Sequence, residues 1–531
     1  MAATTETDAA DIDAPYARRW WTLGVLCLSL LIVFVGNSSL NVAIPTLSRE
    51  LDATTSQLQW VVAAYSLVFA GLLFTAGAVG DRFGRKGALQ LGLVGFLVAC
   101  ALASASTQMW ELIGCRALMG GCAAFIMPST LSILVNVFPP NERAKAIAVW
   151  AGVTGGAGAL GPIASGWLLG HFWFGSVFLV NVPIVLLALV LGAFLVPRSR
   201  DPEEARLDPV GAVLSIVGIS SVVYGLIQAP GEGWSSPQTL GAFVLGGAVL
   251  TAFVLWERHR DEPMLDMAYF KNPAFSTATG GMILVFLSMF GVMFLMTQYF
   301  QLVLGYTPLS AALRLLPLAP VTMIGSLLTP RVIRKVGHNR TVAIGMALVS
   351  VSFLLLSRLD VDTQYPYILL SLFVIAAGIS QTMSPMTAAI MSAVPPRRAG
   401  AGSAMNDATR ELGAALGVAV LGSVAASRYA TGINAATASL SPAERSAART
   451  SLSGALDTAH HLSGALAGRL VSAAEEAFVS GIHLATLVGA VLAAGAALLV
   501  LRFLPRHIEQ YAGERATAGA LEDTTAVAVM D

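Results

Sequence analysis

The sequence predicts an all-α integral membrane protein that crosses the bilayer fourteen times. Its 531 residues are 56% hydrophobic and only 12% charged, with 31 basic and 31 acidic side chains. Apolar stretches recur along the whole chain, and most charged residues fall between them. An average soluble domain is about 25% charged, so this composition excludes a soluble protein of this length.

The apolar stretches give the predicted elements in order. A membrane-spanning helix needs about 20 predominantly apolar residues, and fourteen segments meet that requirement. The predicted spans are 22–46, 57–78, 86–106, 111–137, 145–170, 174–196, 208–228, 238–257, 275–303, 308–330, 340–358, 364–393, 400–427 and 477–503.

Basic residues predict the orientation of these spans. Loops on one side collect most of the arginines and lysines, whereas loops on the other side hold few, such as Arg49 and Arg358. Cytoplasmic loops carry the excess of Lys and Arg, so we expect a multi-pass protein of the bacterial inner (cytoplasmic) membrane with both termini in the cytoplasm. The basic residues on the predicted cytoplasmic side are Arg18, Arg19, Arg82, Arg85, Lys86, Arg143, Lys145, Arg198, Arg200, Arg258, Arg260, Arg334, Lys335, Arg397, Arg398, Arg502 and Arg506.

The spans group into two bundles of six, with two further helices between them. The predicted units are a cytoplasmic tail (1–19), an N-terminal six-helix bundle (20–200), two inserted helices (201–260), a C-terminal six-helix bundle (261–505) and a second cytoplasmic tail (506–531). Residues 1–15 and 506–531 have the polar composition of disordered segments. The long external loop 428–476 is rich in Ala, Ser and charge, and predicts an amphipathic helix at the surface.

A charged turn occurs twice in the sequence. The first copy, GAVGDRFGRK at 77–86, follows the second span, and the second, PRVIRKVGHNR at 330–340, follows the tenth. When the two are aligned, Gly337 falls on Gly84 and Arg334 on Asp81. The second copy therefore keeps the turn and the positive charge without the acid, which indicates two homologous halves.

Residue patterns for enzymatic chemistry are absent from the sequence. The four cysteines (Cys27, Cys100, Cys115 and Cys122) fall inside predicted spans, which favours neither a disulfide framework nor a zinc site. The sequence has no phosphate-binding Walker loop, no cluster of metal ligands and no basic tract for nucleic acid. We therefore predict no enzyme activity, no ATP or nucleic-acid binding, no metal and no organic cofactor.

Several motifs follow one another in the order of a known family. The matching segments are Gln59-Trp60-Val61-Val62 with Tyr65, the turn Gly77–Lys86, Arg116 in ELIGCRALMGG, Gly161-Pro162 in GALGPIASG, GSVFLVNVP (175–183), QYFQLVLGYTPLSA (298–311) and RELGAALG (410–417). Together they resemble the major facilitator superfamily and, within it, the fourteen-span drug:H+ antiporter subfamily. The resemblance covers nearly the whole chain and implies a major facilitator fold of two six-helix bundles plus two extra helices.

The resemblance also implies roles for two of these motifs. The predicted gating loop consists of Gly77, Asp81, Arg82, Gly84, Arg85 and Lys86. Asp81 is expected to neutralise charge at the start of the thirteenth span, which carries Arg397 and Arg398, in one conformation only; the alternative is a solvated turn that fixes topology. Gly161 and Pro162 form the antiporter motif and are expected to bend the fifth span and allow close packing.

Ionisable residues inside spans are the candidates for proton coupling, because each costs at least about 2.5 kcal/mol to insert. The resemblance casts Arg116 in this role, and the alternative is an arginine that braces helices through backbone carbonyls. In the thirteenth span, Asp407 and Glu411 share a helix face and Asp407 can pair with Arg410. One carboxylate could bind a proton while the other holds the arginine; the alternative is a closed ion pair within the helix. The favoured candidate is Asp407, followed by Glu411.

The sequence departs from the subfamily pattern at three positions. The acid expected five residues before NVAIP (41–45) is replaced by Gly36, the acid that some relatives carry in the second span by Ala63, and the usual glutamine of the fourth-span motif by Met119. Proton coupling would then rest on Arg116, Asp407 or Glu411, and strongly cationic substrates lose two counter-charges.

A substrate cavity is expected near mid-membrane between the halves. Phe286, Phe290 and Phe294 recur every four residues in the ninth span and share one face; the alternative for this stripe is ordinary packing. Aromatic and methionine side chains suit varied amphiphilic ligands. The cavity candidates are Asn37, Asn41, Met119, Phe286, Phe290, Phe294, Tyr299, Gln301, Gln381 and Asn406.

These observations predict a secondary active exporter of hydrophobic or amphipathic small molecules, with the proton as coupling ion and alternating access as mechanism. One alternative is an exporter of lipids or lipid-like metabolites with weak or no proton coupling, which Gly36 and Ala63 favour. A second, less favoured, is a membrane-embedded sensor or partner protein that does not transport.

Overall fold

The computed structural model describes residues 18–200, 207–260, 263–394, 399–462 and 464–506, which form helices joined by short loops with no strand among them. The helices are α1 (Arg19–Glu50), α2 (Thr55–Phe83), α3 (Arg85–Ser104), α4 (Met109–Val137), α5 (Pro140–Leu169), α6 (Ser176–Leu195), α7 (Pro209–Glu232), α8 (Pro237–His259), α9 (Pro273–Val303), α10 (Pro308–Val336), α11 (His338–Leu356), α12 (Tyr365–Ser392), α13 (Ala399–Gly432), α14 (Pro442–Thr450), α15 (Leu452–His461) and α16 (Ala465–Phe503).

The predicted spans are confirmed in number and order. Thirteen helices of the described chain are long and apolar enough to cross a membrane. A further 30-residue helix, α5, lies where the fifth span is predicted. Boundaries agree within a few residues except at the last span, which begins at Ala465 and not at 477. The alanine-rich segment before 477 continues the helix because alanine has the highest helix propensity and Ala474 packs in the interior.

The two charged turns have the same backbone geometry. Gly84 and Gly337 each end a helix with a positive φ, 118° and 87°, a region that favours glycine. In the first turn Arg85 N donates to Ser199 O at 3.0 Å, and in the second His338 N donates to Arg506 O at 3.0 Å. Each bond ties the start of the third helix of a half to the chain that follows its sixth helix. The repeat seen in the sequence is thus also a repeat of hydrogen bonds.

Small residues bring the helices of each half into close contact. A methyl group at Gly120 of α4 would lie 2.2 Å from Tyr65 O of α2, and one at Gly417 of α13 would lie 2.3 Å from Leu287 O of α9. Small residues allow this backbone approach in membrane bundles, where the hydrophobic effect between helices is absent. The packing of both halves therefore depends on glycine at these crossings.

The inserted helices α7 and α8 pack on each other, and α7 lies along the seam between the halves. Gly225 of α7 faces the ring of Phe243 of α8. Val223 and Ile227 of α7 form a buried cluster with residues of both halves, Ala63 of α2 and Ala415 of α13 among them. Helix α7 thus covers one side of the contact between α2 and α13, and α8 packs on α7.

The loop 428–476 holds two short helices that are packed against the bundle. Ala448 of α14 and Ala455 of α15 are fully buried, and Tyr429 Oη donates to Ala448 O at 2.8 Å. In α14 the buried face packs on protein, while Ser446 and Arg449 on the other face are exposed. The predicted tail 1–15 and residues 507–531 lie outside the described residues.

Candidate functional site

A hydrogen bond joins the two halves at the middle of the membrane. Ser66 Oγ of α2 donates to Glu411 Oε2 of α13 at 2.6 Å. Ser66 is fully buried and Glu411 is half-buried. Around them, Ala63 and Leu67 of α2 pack against Ala415 of α13, so the bond is enclosed by small apolar side chains. Glu411 of the C-terminal half therefore has a direct hydrogen-bond partner, Ser66, in the N-terminal half.

The second carboxylate of α13, that of Asp407, contacts residues of its own half only in the described contacts. Asp407 Oδ1 lies 3.7 Å from Arg410 Nη1, which is the ion pair that the sequence spacing allows. Asn406 Nδ2 lies 3.4 Å from the same carboxylate and Asn406 Oδ1 accepts from Thr387 of α12 at 3.0 Å. The guanidinium of Arg410 lies 5.7 Å from the ring centroid of Phe286. Asp407 therefore holds Arg410, and Glu411 is the carboxyl group without a cationic partner in the described contacts.

Arg116 is completely buried and braces three helices. Its Nε donates to Val61 O at 3.1 Å, Nη1 to Gly36 O at 3.4 Å and Nη2 to Asn37 Oδ1 at 3.0 Å. Its guanidinium stacks on Tyr65, 4.4 Å from the ring centroid. This is the bracing arrangement that was the alternative for Arg116. Tyr65 is the neighbour of Ser66, so the arginine also fixes the part of α2 that reaches Glu411.

The gating loop forms a compact turn at the end of the bundle that carries the basic residues, called here the basic end (the turns 82–86 and 334–340). Asp81 Oδ1 accepts from Arg85 Nε at 2.8 Å, and Lys86 Nζ donates to Ala193 O at 2.7 Å. Gly77 approaches Pro128 of α4. The predicted partners Arg397 and Arg398 lie outside the described residues, so an interaction of Asp81 with the thirteenth span stays a prediction.

The antiporter motif holds α5 against α1. A methyl group at Gly161 would lie 2.0 Å from Ser38 Oγ, and Gly161 O accepts from Ser39 Oγ at 3.1 Å. Ser165 Oγ donates back to Ser39 O at 2.9 Å. The helix runs through Pro162 without a break, so the motif produces close packing and a polar contact between the two spans.

The cavity candidates separate into two groups. Asn37, Asn41, Phe290 and Gln381 keep some exposed surface, while Met119, Phe286, Phe294, Tyr299, Gln301 and Asn406 are buried. Tyr299 Oη donates to Asp360 O at 2.6 Å and Gln381 Nε2 to Gly325 O at 3.0 Å, bonds that fix helices of the C-terminal half. In this conformation Met119, Phe294 and Tyr299 are enclosed by protein, and their predicted contact with substrate would need a different conformation.

Among the described residues, the hydrogen bonds that join the halves lie away from the basic end. Gln59 Nε2 donates to Val418 O at 3.2 Å, and Gln301 Nε2 donates to Val42 O at 3.0 Å. At the same end, a methyl group at Gly166 of α5 would lie 2.7 Å from the Cα of Leu309 of α10. The pathway between the halves is therefore closed at the end opposite the basic end.

The sequence analysis did not single out Ser66. A signal was present, since Gln59, Ala63 and Ser66 follow the i, i+4, i+7 spacing of one helix face. All three are small or polar, and all three are buried toward α13. A small, polar face on an otherwise bulky apolar span indicates a helix interface.

Comparison with known proteins identifies the family of this chain. A family profile described as Major Facilitator Superfamily matches residues 26–418. The chain belongs to the major facilitator superfamily. The fold class inferred from sequence is thus confirmed, together with the multi-pass membrane character of the chain.

Relatives of this major facilitator protein carry the names of drug exporters. It is 37% identical to the multidrug efflux pump LfrA of Mycolicibacterium smegmatis, over 91% of this chain and 96% of that protein. It is 32% identical to the tetracenomycin C resistance and export protein of Streptomyces glaucescens, over 94% and 96%. It is 33% identical to the methyl viologen resistance protein SmvA of Salmonella typhimurium, over 87% and 93%.

Solved structures share the fold. A bacterial homologue of the human lysosomal transporter Spinster, in an inward-facing and unoccupied conformation, superposes with a TM-score of 0.64 at 18% identity and covers 92% of this chain and 98% of that one. A peptide transporter in complex with sulfate superposes with a TM-score of 0.60 at 14% identity, over 92% and 96%. At these identities the likeness describes architecture alone.

Proposed function

We propose that this major facilitator protein exports hydrophobic or amphipathic small molecules, drugs among them, from the bacterial cell in exchange for protons. The export of drugs is supported by relatives that are multidrug efflux, drug resistance and export proteins along most of their length. The observation that carries the proton exchange is the Glu411–Ser66 hydrogen bond across the two halves. No ATP site or enzymatic step enters this scheme.

Proton binding at Glu411 would change the contact between the halves. An ionised carboxylate accepts a hydroxyl hydrogen bond strongly, and a protonated carboxylic acid accepts it more weakly. Protonation therefore weakens the link from α13 to α2, and loss of the proton restores it. A group whose charge state alters the contact between two rocking halves has what coupling requires, namely a different proton affinity in each conformation.

The orientation places this cycle in the inner membrane. The positive-inside rule puts the basic end in the cytoplasm, so the closed contacts at Gln59 and Gln301 face the outside. The present conformation then blocks the external path. Binding from the cytoplasm or inner leaflet, closure of the basic end and release outside complete alternating access around the fixed site.

Arg410, Asp407 and the partly exposed side chains Asn37, Asn41 and Phe290 are the proposed contacts for substrate. Gly36 and Ala63 supply no negative charge, and Asp407 is already paired with Arg410. Of the two described carboxyl groups of α13, only Glu411 is not paired with an arginine. Neutral or singly charged aromatic amphiphiles are therefore the preferred class, because a second positive charge would lack an anionic partner.

Transport into proteoliposomes with an imposed pH gradient tests this function, with a lipophilic singly charged dye as substrate. We expect the gradient to drive accumulation by the wild type. Glu411→Gln, which keeps a hydrogen-bond acceptor and cannot bind a proton, should abolish accumulation and leave downhill dye flux within a few-fold of the wild type.

Asp407→Asn is the matched control on the same helix face. It should lower the rate and keep the dependence on the gradient. Dye accumulation that ignores the gradient in the wild type would contradict proton antiport, and gradient-driven transport by Glu411→Gln would contradict the role of Glu411. Transport of a fluorescent phospholipid without any dependence on the gradient would support the alternative of a lipid exporter.

A further inference from the structure

A second pair of carboxyl groups lies at the basic end of the inserted helices, away from Glu411. Asp208 precedes α7 and Glu257 lies in the last turn of α8; their exposed fractions are 3% and 1%. A methyl group at Gly211 would lie 2.5 Å from Glu257 Oε1 and 2.7 Å from Asp208 Oδ2. The two carboxyl groups therefore meet across this glycine.

The partners of Asp208 suit an ionised carboxylate. Its Oδ1 accepts from Gly211 N at 2.9 Å and from Trp256 Nε1 at 3.1 Å, and it lies 3.5 Å from Arg260 Nη1. The helix N-terminus adds a favourable field for negative charge. Asp208 thus has a cation, one backbone donor and one indole donor to compensate its charge.

Among the described residues, Glu257 has one hydrogen-bond donor and no cation of its own to compensate its charge. Its Oε2 accepts from Leu265 N at 3.0 Å, while Oε1 has no donor among the described residues. Among the residues that the structure describes, the charged groups that act on it are Asp208 and Arg260, and the arginine is already paired with Asp208. Two carboxylates that share one cation in a dry site cannot both be ionised at low cost, so one proton is retained between them. A proton on Glu257 would also give Oε1 its missing hydrogen bond, to Asp208.

Leu265, whose backbone N–H donates to Glu257, belongs to the segment that links the inserted helices to the C-terminal half. Residues 263–272, called here the connector, lead from α8 to α9. Met264 Sδ accepts a hydrogen bond from Thr75 Oγ1 of α2 at 3.8 Å. On the other side, the connector closes a small cavity against the end of α12 and the start of α13, with Val394 and Met405 in its wall. The connector thus touches α2 and α13 at the basic end, where the halves must approach if that end is to close.

We propose that Glu257 and Asp208 form a proton-binding carboxyl pair that fixes the connector between α2 and α13, and that loss of the shared proton releases it. Ionised Glu257 would leave a second negative charge without a partner in a buried site. The site then opens so that water can hydrate that charge, and the hydrogen bond from Leu265 N to Glu257 is broken. This inference concerns a site separate from Glu411 and does not depend on which substrate is exported.

Infrared difference spectroscopy of the purified full-length protein in nanodiscs tests for the proton. At pH 7 the wild type should show the carbonyl band of a protonated carboxylic acid that is missing in Glu257→Gln. Asp208→Asn keeps the helix cap and frees Arg260 to pair with Glu257, so this band should also disappear. Glu444→Gln is the control, because hydrogen bonds from Ser441 lower the pKa of this accessible carboxyl. Identical spectra for the wild type and Glu257→Gln would overturn the proposal.

Hydrogen–deuterium exchange of the connector tests the release. Glu257→Gln retains an acceptor for Leu265 N and does not titrate. At equal pH the intrinsic exchange rates cancel, so the wild type should match the variant at pH 6 and exchange several-fold faster at pH 8. Equal exchange of the two proteins at both pH values would show that the pair does not control the connector.

Discussion

At the scale of single residues, Arg116 and Glu411 differ in where their hydrogen bonds lead. Arg116 donates hydrogen bonds to Val61 O, Gly36 O and Asn37 Oδ1, and its guanidinium stacks on the ring of Tyr65. It is therefore placed to keep α1, α2 and α4 together. Glu411 makes its described hydrogen bond to the opposite half. A charge satisfied within one half resists motion of its helices, whereas a charge shared between halves responds to it.

Replacement of Arg116 by lysine should destabilise the fold. Lysine has a single compact ammonium and cannot reproduce the planar fork that reaches three partners at once. At least one buried acceptor is left unpaired, which costs about 1–3 kcal/mol. We expect a lower thermal unfolding midpoint of the detergent-solubilised protein for Arg116→Lys.

Arg502→Lys serves as the control, because it removes a guanidinium at an exposed position near the end of α16. An unchanged midpoint together with loss of transport in Arg116→Lys would contradict bracing and favour direct participation of Arg116 in coupling.

At the scale of helices, glycine fixes how closely the spans of one half pack. Gly120 meets the backbone of Tyr65, so any side chain at this position has to move a whole helix. The neighbouring Gly121 faces the flexible side chains of Leu72 and Val68 at 3.5 Å and 3.6 Å, which is ordinary contact distance for a new methyl group. Adjacent glycines on α4 therefore have different roles.

The pair Gly120→Ala and Gly121→Ala isolates this difference, since each adds one methyl group to the same helix. Gly120→Ala should lower stability by about 1–3 kcal/mol, as overpacking does. Gly121→Ala should leave it unchanged or raise it slightly, because alanine favours the helix by about 1 kcal/mol. Thermal unfolding of the two variants side by side gives the answer, and equal midpoints would refute the close approach of α2 and α4.

At the scale of the whole molecule, the closed end opposite the basic end is held by few polar contacts. Gln59 Nε2 donates to Val418 O and lies 3.4 Å from Ser423 Oγ, and the side chain is 1% exposed. A single contact of this kind contributes about 1 kcal/mol. Loss of one such contact would therefore shift the balance between closed and open conformations without abolishing the closed one.

Loss of the Gln59 contact should shift the molecule toward the state that is open at this end. For about 1 kcal/mol the population ratio changes roughly fivefold. The measurement is labelling of Ala419→Cys, a position buried between the halves, by a membrane-impermeant maleimide in a variant without the four native cysteines. Gln59→Ala should raise the labelling rate several-fold.

Gln90→Ala is the matched control, because Gln90 donates to Leu189 O within the N-terminal half. If both variants label at the same rate, Gln59 does not hold the external closure.

Sequence patterns predicted the elements well because a span is a local property. Apolar length, basic loops and the charged turn each depend on contiguous residues, and the helices begin and end close to the predicted places. The last span was predicted too short because a polar, alanine-rich helix outside the bilayer has no hydropathy signal. Ser66 was overlooked for a related reason, since a serine gains meaning only when its neighbour across the interface is known.

The sequence by itself determined the number and order of the spans, the two-fold repeat and the family, and it allowed an ion pair between Asp407 and Arg410. These follow from hydropathy, from motif order and from helical spacing, all of which are written along one chain. Only the tertiary structure decided that Arg116 bonds to two backbone carbonyls and to Asn37, that Glu411 bonds to the opposite half, and that Asp208 meets Glu257. Each of these joins residues far apart in the chain, because helix packing and not local spacing sets which side chains meet.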